Sequence, residues 1–188
     1  MNKRIMIAIL FIVCAQLNTQ SQNRKLSMKY KPIGTIHTDY TPETGAPRQG
    51  NLIPDNSGTI EIYPEYRKAL TTLDSFEYII LIYHFDRVES WDPMVKPPES
   101  DHDYEFGLFA TRSPRRPNPI GFSVIKLDKI ESGKLYVKGI DAFDGTPVLD
   151  IKPYLPSIDC LKSTQNDLME QKLGHHDEIF IKDSSFYK

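Results

Sequence analysis

Cysteine is scarce in this chain of 188 residues. Only Cys14 and Cys160 occur, and neither sits in a C-x-x-C pair or beside a histidine. That excludes a disulfide-built scaffold and leaves redox and zinc-finger chemistry without residues. Long apolar runs are also missing. The run Ile5–Val13 holds nine residues, well short of the roughly 20 that a membrane-spanning helix needs. Neither the G-x-G-x-x-G fingerprint of α/β nucleotide folds nor a G-x-S-x-G elbow is present. His175-His176 has no partner ligands nearby in sequence, and His102 lies among Asp101, Asp103 and Glu105 in a polar stretch that reads as solvated. No metal is therefore expected.

Net charge is small, −2, and unevenly spread: residues 1–27 contribute +4, so the remainder stands at −6. A body of that charge has no general attraction for a polyanion. Nucleic acid could be held only by a focused basic patch, because affinity comes largely from neutralising phosphates.

What is abundant is turn chemistry. Fourteen prolines and ten glycines suit short strands joined by turns better than a helical bundle. Tyr30–His37 reads as a first strand, followed by a loop from Thr38 to about Asn56. Thr59–Tyr63 alternates like a half-buried strand. Pro64 stands where a helix would start, and Glu65–Leu73 has a short amphipathic helical pattern. Phe76–Phe85 is apolar on both faces, as in a strand covered on two sides. A long polar loop, Asp86–Tyr104, comes next. Phe106–Ala110, Phe122–Leu127, Leu135–Ile140 and Val148–Ile151 are further strands. About six strands and one or two short helices predict a mainly β, closed or nearly closed barrel over residues 28–156, with residues 157–188 as a loosely packed tail.

Residues 1–27 are a separate unit. Lys3 and Arg4 precede the apolar run, and Ala15 offers a small-residue cleavage point, the pattern of an export signal. Met28 equally reads as the natural start of the domain. The two readings place the protein outside the cytoplasm or in it, and no stable membrane partner is expected unless this segment is retained.

Several segments carry more chemistry than plain turns require: Pro47-Arg48-Gln49, Tyr83-His84-Phe85, the basic stretch Ala110–Gly121, and Asp141–Tyr154. Between Arg112 and Pro119, prolines stiffen the backbone and hold Arg112, Arg115 and Arg116 out at low entropic cost, where guanidinium groups can clamp phosphate or carboxylate. In Asp144-Gly145-Thr146-Pro147, Gly145 can adopt positive φ. Asp141 and Asp144 could accept bonds from a ribose diol or an amino group, or simply stabilise the turn.

Taken in order, Ile33–Ile36, Pro47–Gln49, Ala110–Ser113, Arg116–Gly121 and Asp144–Tyr154 resemble the TsaA-like family of TrmO-type transfer-RNA adenine methyltransferases, over roughly residues 30–156. The resemblance implies a single-sheet β-barrel, a homodimer with S-adenosylmethionine near the subunit interface, and methyl transfer to N6 of threonylcarbamoyladenosine at position 37 of tRNA. It implies that Pro47, Arg48, Gln49, His84, Phe85, Arg112, Phe122, Asp141, Asp144, Gly145 and Thr146 line the cofactor. Asp141 or Asp144 would assist proton removal from the acceptor, and Arg115 and Arg116 would contact RNA. A different methyl acceptor, or a non-catalytic exported binding module, are the competing readings. Tyr78 stands where other members have a histidine, and little sequence follows Tyr154 to serve as the C-terminal extension of TrmO-type proteins.

Overall fold

The computed structural model describes residues 28–96, 105–161 and 180–181. The signal-like pattern at 1–27, the cluster at 101–103 and the His175-His176 pair lie outside them. Among the described residues, ten strands run in chain order: β1 (Gly34–His37), β2 (Ala46–Pro47), β3 (Ser57–Ile62), β4 (Tyr78–His84), β5 (Met94–Val95), β6 (Phe106–Gly107), β7 (Ile120–Glu131), β8 (Lys134–Lys138), β9 (Pro147–Pro153) and β10 (Phe180–Ile181). Six of them close a barrel in the order β1-β3-β8-β7-β4-β9, with every pairing antiparallel. The expected mainly β barrel is what forms.

Strand alternation explains the interior. Ile36, Ile60, Ile62, Ile79, Leu81, Ile125, Leu135 and Val148 are all essentially excluded from solvent. Branched side chains at every second position fill a barrel of this size, and each contributes about 1.5–3 kcal/mol on burial. The twelve-residue β7 serves two neighbours. Its first half pairs with β4, from His84↔Ile120 to Tyr78↔Lys126, and its second half pairs with β8. A register shift between Leu127 and Lys129 bends it toward β8, the usual effect of a bulge. Ser132 and Gly133, at φ 54° and 83°, make the tight left-handed turn that joins β7 to β8.

Several elements differ from the sequence expectation. The helical pattern at Glu65–Leu73 becomes a 3₁₀ segment, Pro64–Leu70, and a second short turn, Leu73–Ser75. Tyr66, Leu70 and Leu73 still pack on the core, but the run is too short to sustain an α-helix alone. It breaks at Thr72, which is left-handed at φ 66°. Phe106–Ala110 is not a barrel strand. Phe106–Gly107 pairs with Met94–Val95 in a separate two-stranded ribbon, and Leu108–Ala110 turns as 3₁₀. Of the tail expected at 157–188, only residues 157–161 and 180–181 are among those described. Pro156–Asp159 forms one helical turn, α1, with the Leu155 N–H donating to the Asp159 carboxylate at 2.7 Å. The backbone of Phe180–Ile181 pairs with Ala46–Pro47. In β4 the apolar pattern divides by face: Ile79, Leu81 and Tyr83 point inward and are buried, whereas Ile80 and Ile82 lie half-buried outside.

Candidate functional site

Asp141 follows the left-handed Gly139 at the end of β8, where the chain turns over the barrel rim. Its carboxylate is buried and engaged by three donors. The Gly50 N–H reaches Oδ2 at 3.0 Å, while Ser123 and Tyr83 donate hydroxyls to Oδ1 at 2.6 and 3.2 Å. Burial pushes this carboxyl above the usual carboxylate range, and the three hydrogen bonds oppose that shift without cancelling it. Ser123 occupies an inward position of β7, between Gly121 and Ile125, where the pattern otherwise calls for an apolar residue.

The Gly50 bond ties the Pro47–Gln49 turn to the rim. Gly50 packs directly on Gly139, where an added Cβ would stand 1.6 Å from the Gly139 carbonyl oxygen. In the turn, the Gln49 amide donates to the Arg48 carbonyl at 2.7 Å, and the Gln49 side-chain carbonyl accepts from the Arg112 guanidinium. Residues about sixty positions apart in sequence are thus joined through one glutamine.

The turn after Asp141 is strapped on its other side. Gly145 has φ 82°, as its role in a turn anticipates. The Asp144 and Gly145 N–H groups donate to the carbonyls of Tyr40 and Ile36, and Arg87 donates to the Asp144 carbonyl at 2.7 Å. The Arg87 guanidinium also lies 5.5 Å from the centre of the Phe143 ring, within cation–π range. The side chain of Asp144 points elsewhere. It accepts from the Thr38 N–H at 3.3 Å and faces His37 Nδ1 at 3.3 Å, about half exposed. Asp141 and Asp144, grouped together from sequence, therefore occupy different surroundings. Asp141, Phe85 and Thr146 line a small hollow of about 30 Å³ together with Ala46, Arg87 and Phe143. Asp144 lines an open groove with His37, Asp128 and Tyr136.

The proline-rich loop holds its arginines differently from one another. Arg112 is exposed and meets Gln49. Arg115 donates to Asp92 and Ser90, both at 3.0 Å. Arg116 donates to the carbonyls of Thr111 and Ser113 at 3.0 and 3.4 Å. Arg116, read from sequence as an RNA contact, thus braces its own loop, and Arg115, read likewise, ties that loop to the segment carrying Ser90 and Asp92. His84 and Phe122 fall outside the rim cluster. They sit on the outer face of the β4–β7 pair, opposite Ile120 and Ile82 respectively. Phe85 turns back beside Tyr83, with ring centres 5.2 Å apart.

Sequence reasoning named the segments that hold Tyr83 and Phe143 but missed Ser123, Gly50 and Arg87 as parts of this arrangement. Only Ser123 carried a readable signal, a hydroxyl at a core position that must find a partner.

A family profile described as the tRNA-methyltransferase O N-terminal domain matches residues 35–160. A Pyrococcus abyssi protein named "Probable S-adenosyl-L-methionine-binding protein" is 38 % identical over 162 residues, covering 86 % of each chain. The Escherichia coli tRNA (adenine(37)-N6)-methyltransferase is 36 % identical over 72 % of this chain and 61 % of its own length. The crystal structure of TrmO from Pseudomonas aeruginosa superposes with a TM-score of 0.64 at 35 % identity, covering 76 % of this chain and 62 % of that one. The chain thus spans about three fifths of the length of these two bacterial proteins. With the closed barrel and the Pro47–Gln49, Arg112 and Asp144–Thr146 segments gathered at one rim, the chain belongs to the tRNA-methyltransferase O N-terminal domain family.

Proposed function

We propose that this protein binds S-adenosylmethionine at the barrel rim and methylates tRNA, with N6 of threonylcarbamoyladenosine 37 as acceptor. The observation that carries this reading is the Gln49–Arg112 contact, on a turn fastened to the rim by the Gly50 bond to Asp141, which lines a hollow walled by Phe85 and Phe143. This donor set suits a zwitterionic nucleoside. Guanidinium groups answer a carboxylate, and aromatic walls answer an adenine.

Bound there, the cofactor would supply an electrophilic methyl group, and the chain's own residues would supply alignment. Arg48 and Arg112 would hold the methionine carboxylate, with Gln49 keeping Arg112 in place. Asp141 is engaged by its three donors and acts as a positioning residue. Between the two aspartates, Asp144 is the one that presents a carboxylate to solvent, so it is the candidate for polarising the acceptor N–H. Arg112→Ala is expected to weaken cofactor binding by about 1.5–3 kcal/mol, the range of a charge-assisted hydrogen bond. Titration calorimetry checks this, and unchanged affinity in a folded variant removes Arg112 from the site.

The hollow of about 30 Å³ has room for only a few waters, so a cofactor seated there would extend beyond it. The outer face of β4–β7 offers a second wall. Ile80 stands opposite Val124, and Ile82 opposite Phe122, with Phe122 and Ile120 40–50 % exposed. A second copy on this face would form the homodimer and bring His84 and Phe122 to the site's edge. The intact protein is then expected to sediment as a dimer and Phe122→Glu as a monomer. A monomeric wild type would refute the arrangement.

The function is tested with full-length protein, S-adenosylmethionine and tRNA already carrying threonylcarbamoyladenosine, weighing the digested nucleosides. A product heavier by one methyl group, absent without protein, supports the reading. Cofactor binding without product assigns a different acceptor, and loss of both refutes it.

A further inference from the structure

The aromatic ring of Phe109 is 80 % exposed, more than any other aromatic side chain described. Burial of such a ring is worth about as much as burial of the barrel's isoleucines, yet the loop around it is built to keep it out. Leu108, its neighbour, is buried and anchors the turn. The Leu108 carbonyl accepts from both the Thr111 N–H at 3.0 Å and the Thr111 hydroxyl at 2.8 Å. The guanidinium of Arg116 lies over the Phe109 ring, 5.6 Å from its centre, and is itself fixed by the carbonyls of Thr111 and Ser113. One face of the ring is backed by a cation, and the ring is presented three residues before the exposed Arg112 of the Gln49 junction.

We infer that Phe109 is a stacking face for a planar nucleobase, with Arg116 setting its position. This rests on the nucleoside-binding reading of the same rim and adds a residue that decides how a base is seated. A guanidinium behind the ring holds it at a fixed angle, so little side-chain freedom is lost when a base arrives. The chemistry is shared by two sources, the adenine of the cofactor and an unstacked base of the RNA loop, which aromatic side chains commonly receive.

The test uses the full-length protein with Phe109→Ala and Phe109→Tyr, three readouts being taken together. Affinity for S-adenosylmethionine comes from calorimetry, affinity for an anticodon stem-loop RNA from fluorescence anisotropy, and mass from sedimentation. Because the ring is exposed, Phe109→Ala should keep the wild-type melting temperature. It should weaken one of the two ligands by roughly 5- to 150-fold, the cost of losing one stacked base, and Phe109→Tyr should restore it. Selective loss of cofactor affinity assigns the base to the cofactor, and selective loss of RNA affinity assigns it to RNA. Unchanged affinities for both ligands overturn the inference alone. Conversion of a dimer to a monomer by Phe109→Ala overturns it in favour of a subunit contact. A wild-type protein that binds neither ligand overturns the nucleoside reading and this inference together.

Discussion

Asp141→Ala is expected to lower the melting temperature by about 5–15 °C, through the loss of about 2–4 kcal/mol in a chain of this size. Three donors lose their acceptor. Tyr83 and Ser123 keep part of their bonding, since their hydroxyl oxygens lie 3.2 Å apart, but the Gly50 N–H is left without its carboxylate. An unmet buried donor costs about 1–3 kcal/mol, and a hydrogen bond to a charged group is worth about 1.5–3. Against this stands the relief of no longer burying a carboxylate. The offset is partial, because the alanine also leaves a hole beside Tyr83. Asp141→Asn is expected to recover most of the stability. Its carbonyl can face Gly50 while its amide donates to the two hydroxyls, which can rotate to accept. Thermal melts of both variants check this, and an Asn variant as unstable as Ala would mean that the charge itself is required.

The same pair predicts an unusual pH dependence. Burial raises the folded-state pKa of Asp141 above its unfolded value, so the native state holds the proton more tightly. The group's contribution to stability is therefore fully present below the ordinary carboxylate range and is lost as pH rises through the higher folded-state value. The stability of wild type relative to Asp141→Asn should be greatest in acid and shrink toward neutrality. A carboxylate held by salt bridges would give the opposite slope. A gap that widens with rising pH would contradict the buried placement.

Periodicity made the barrel legible because each wall strand has one face in the core. Ile60 and Ile62, or Ile79 and Leu81, announce themselves by alternation. The 3₁₀ segment at Pro64–Leu70 was not legible as such, since tyrosine and leucine at this spacing pack equally in either helix type. Phe106–Ala110 misled for a related reason. Alternating burial survives there, with Phe106 and Leu108 in and Phe109 out, but the ribbon it joins lies apart from the barrel sheet. At the site, the motif segments read from sequence include turns that meet at the rim. What escaped was the connection between them. Asp141 to Gly50, and Gln49 to Arg112, are contacts across 91 and 63 positions that no local pattern encodes. Composition likewise cannot tell which partner an arginine takes, which is why Arg112, Arg115 and Arg116 read alike although they meet Gln49, Asp92 and their own loop's carbonyls respectively.

Gly50→Ala is expected to damage both stability and cofactor binding, although it adds a single carbon. The new Cβ would stand 1.6 Å from the Gly139 carbonyl oxygen and 2.5 Å from its carbon. Both are backbone atoms, so no side chain can swing aside. Gly139 itself is held at φ 74°, and its N–H donates to the Asn56 carbonyl, so the strain passes to the Pro47–Gly50 turn. Overpacking of this kind costs about 1–3 kcal/mol, and backbone-on-backbone contact belongs at the upper end. Separating the two glycines stretches the Gly50–Asp141 bond and carries Gln49 away from Arg112. Cofactor affinity should then fall by about tenfold or more, in line with misplacing charge-assisted contacts. Gly107→Ala is the control. A Cβ there meets nothing within 4 Å, so its stability should stay within about 0.5 kcal/mol of wild type. If Gly50→Ala lowers the melting temperature but leaves cofactor affinity intact, the Pro47–Gln49 turn is a structural strap and the ligand is held elsewhere on the rim.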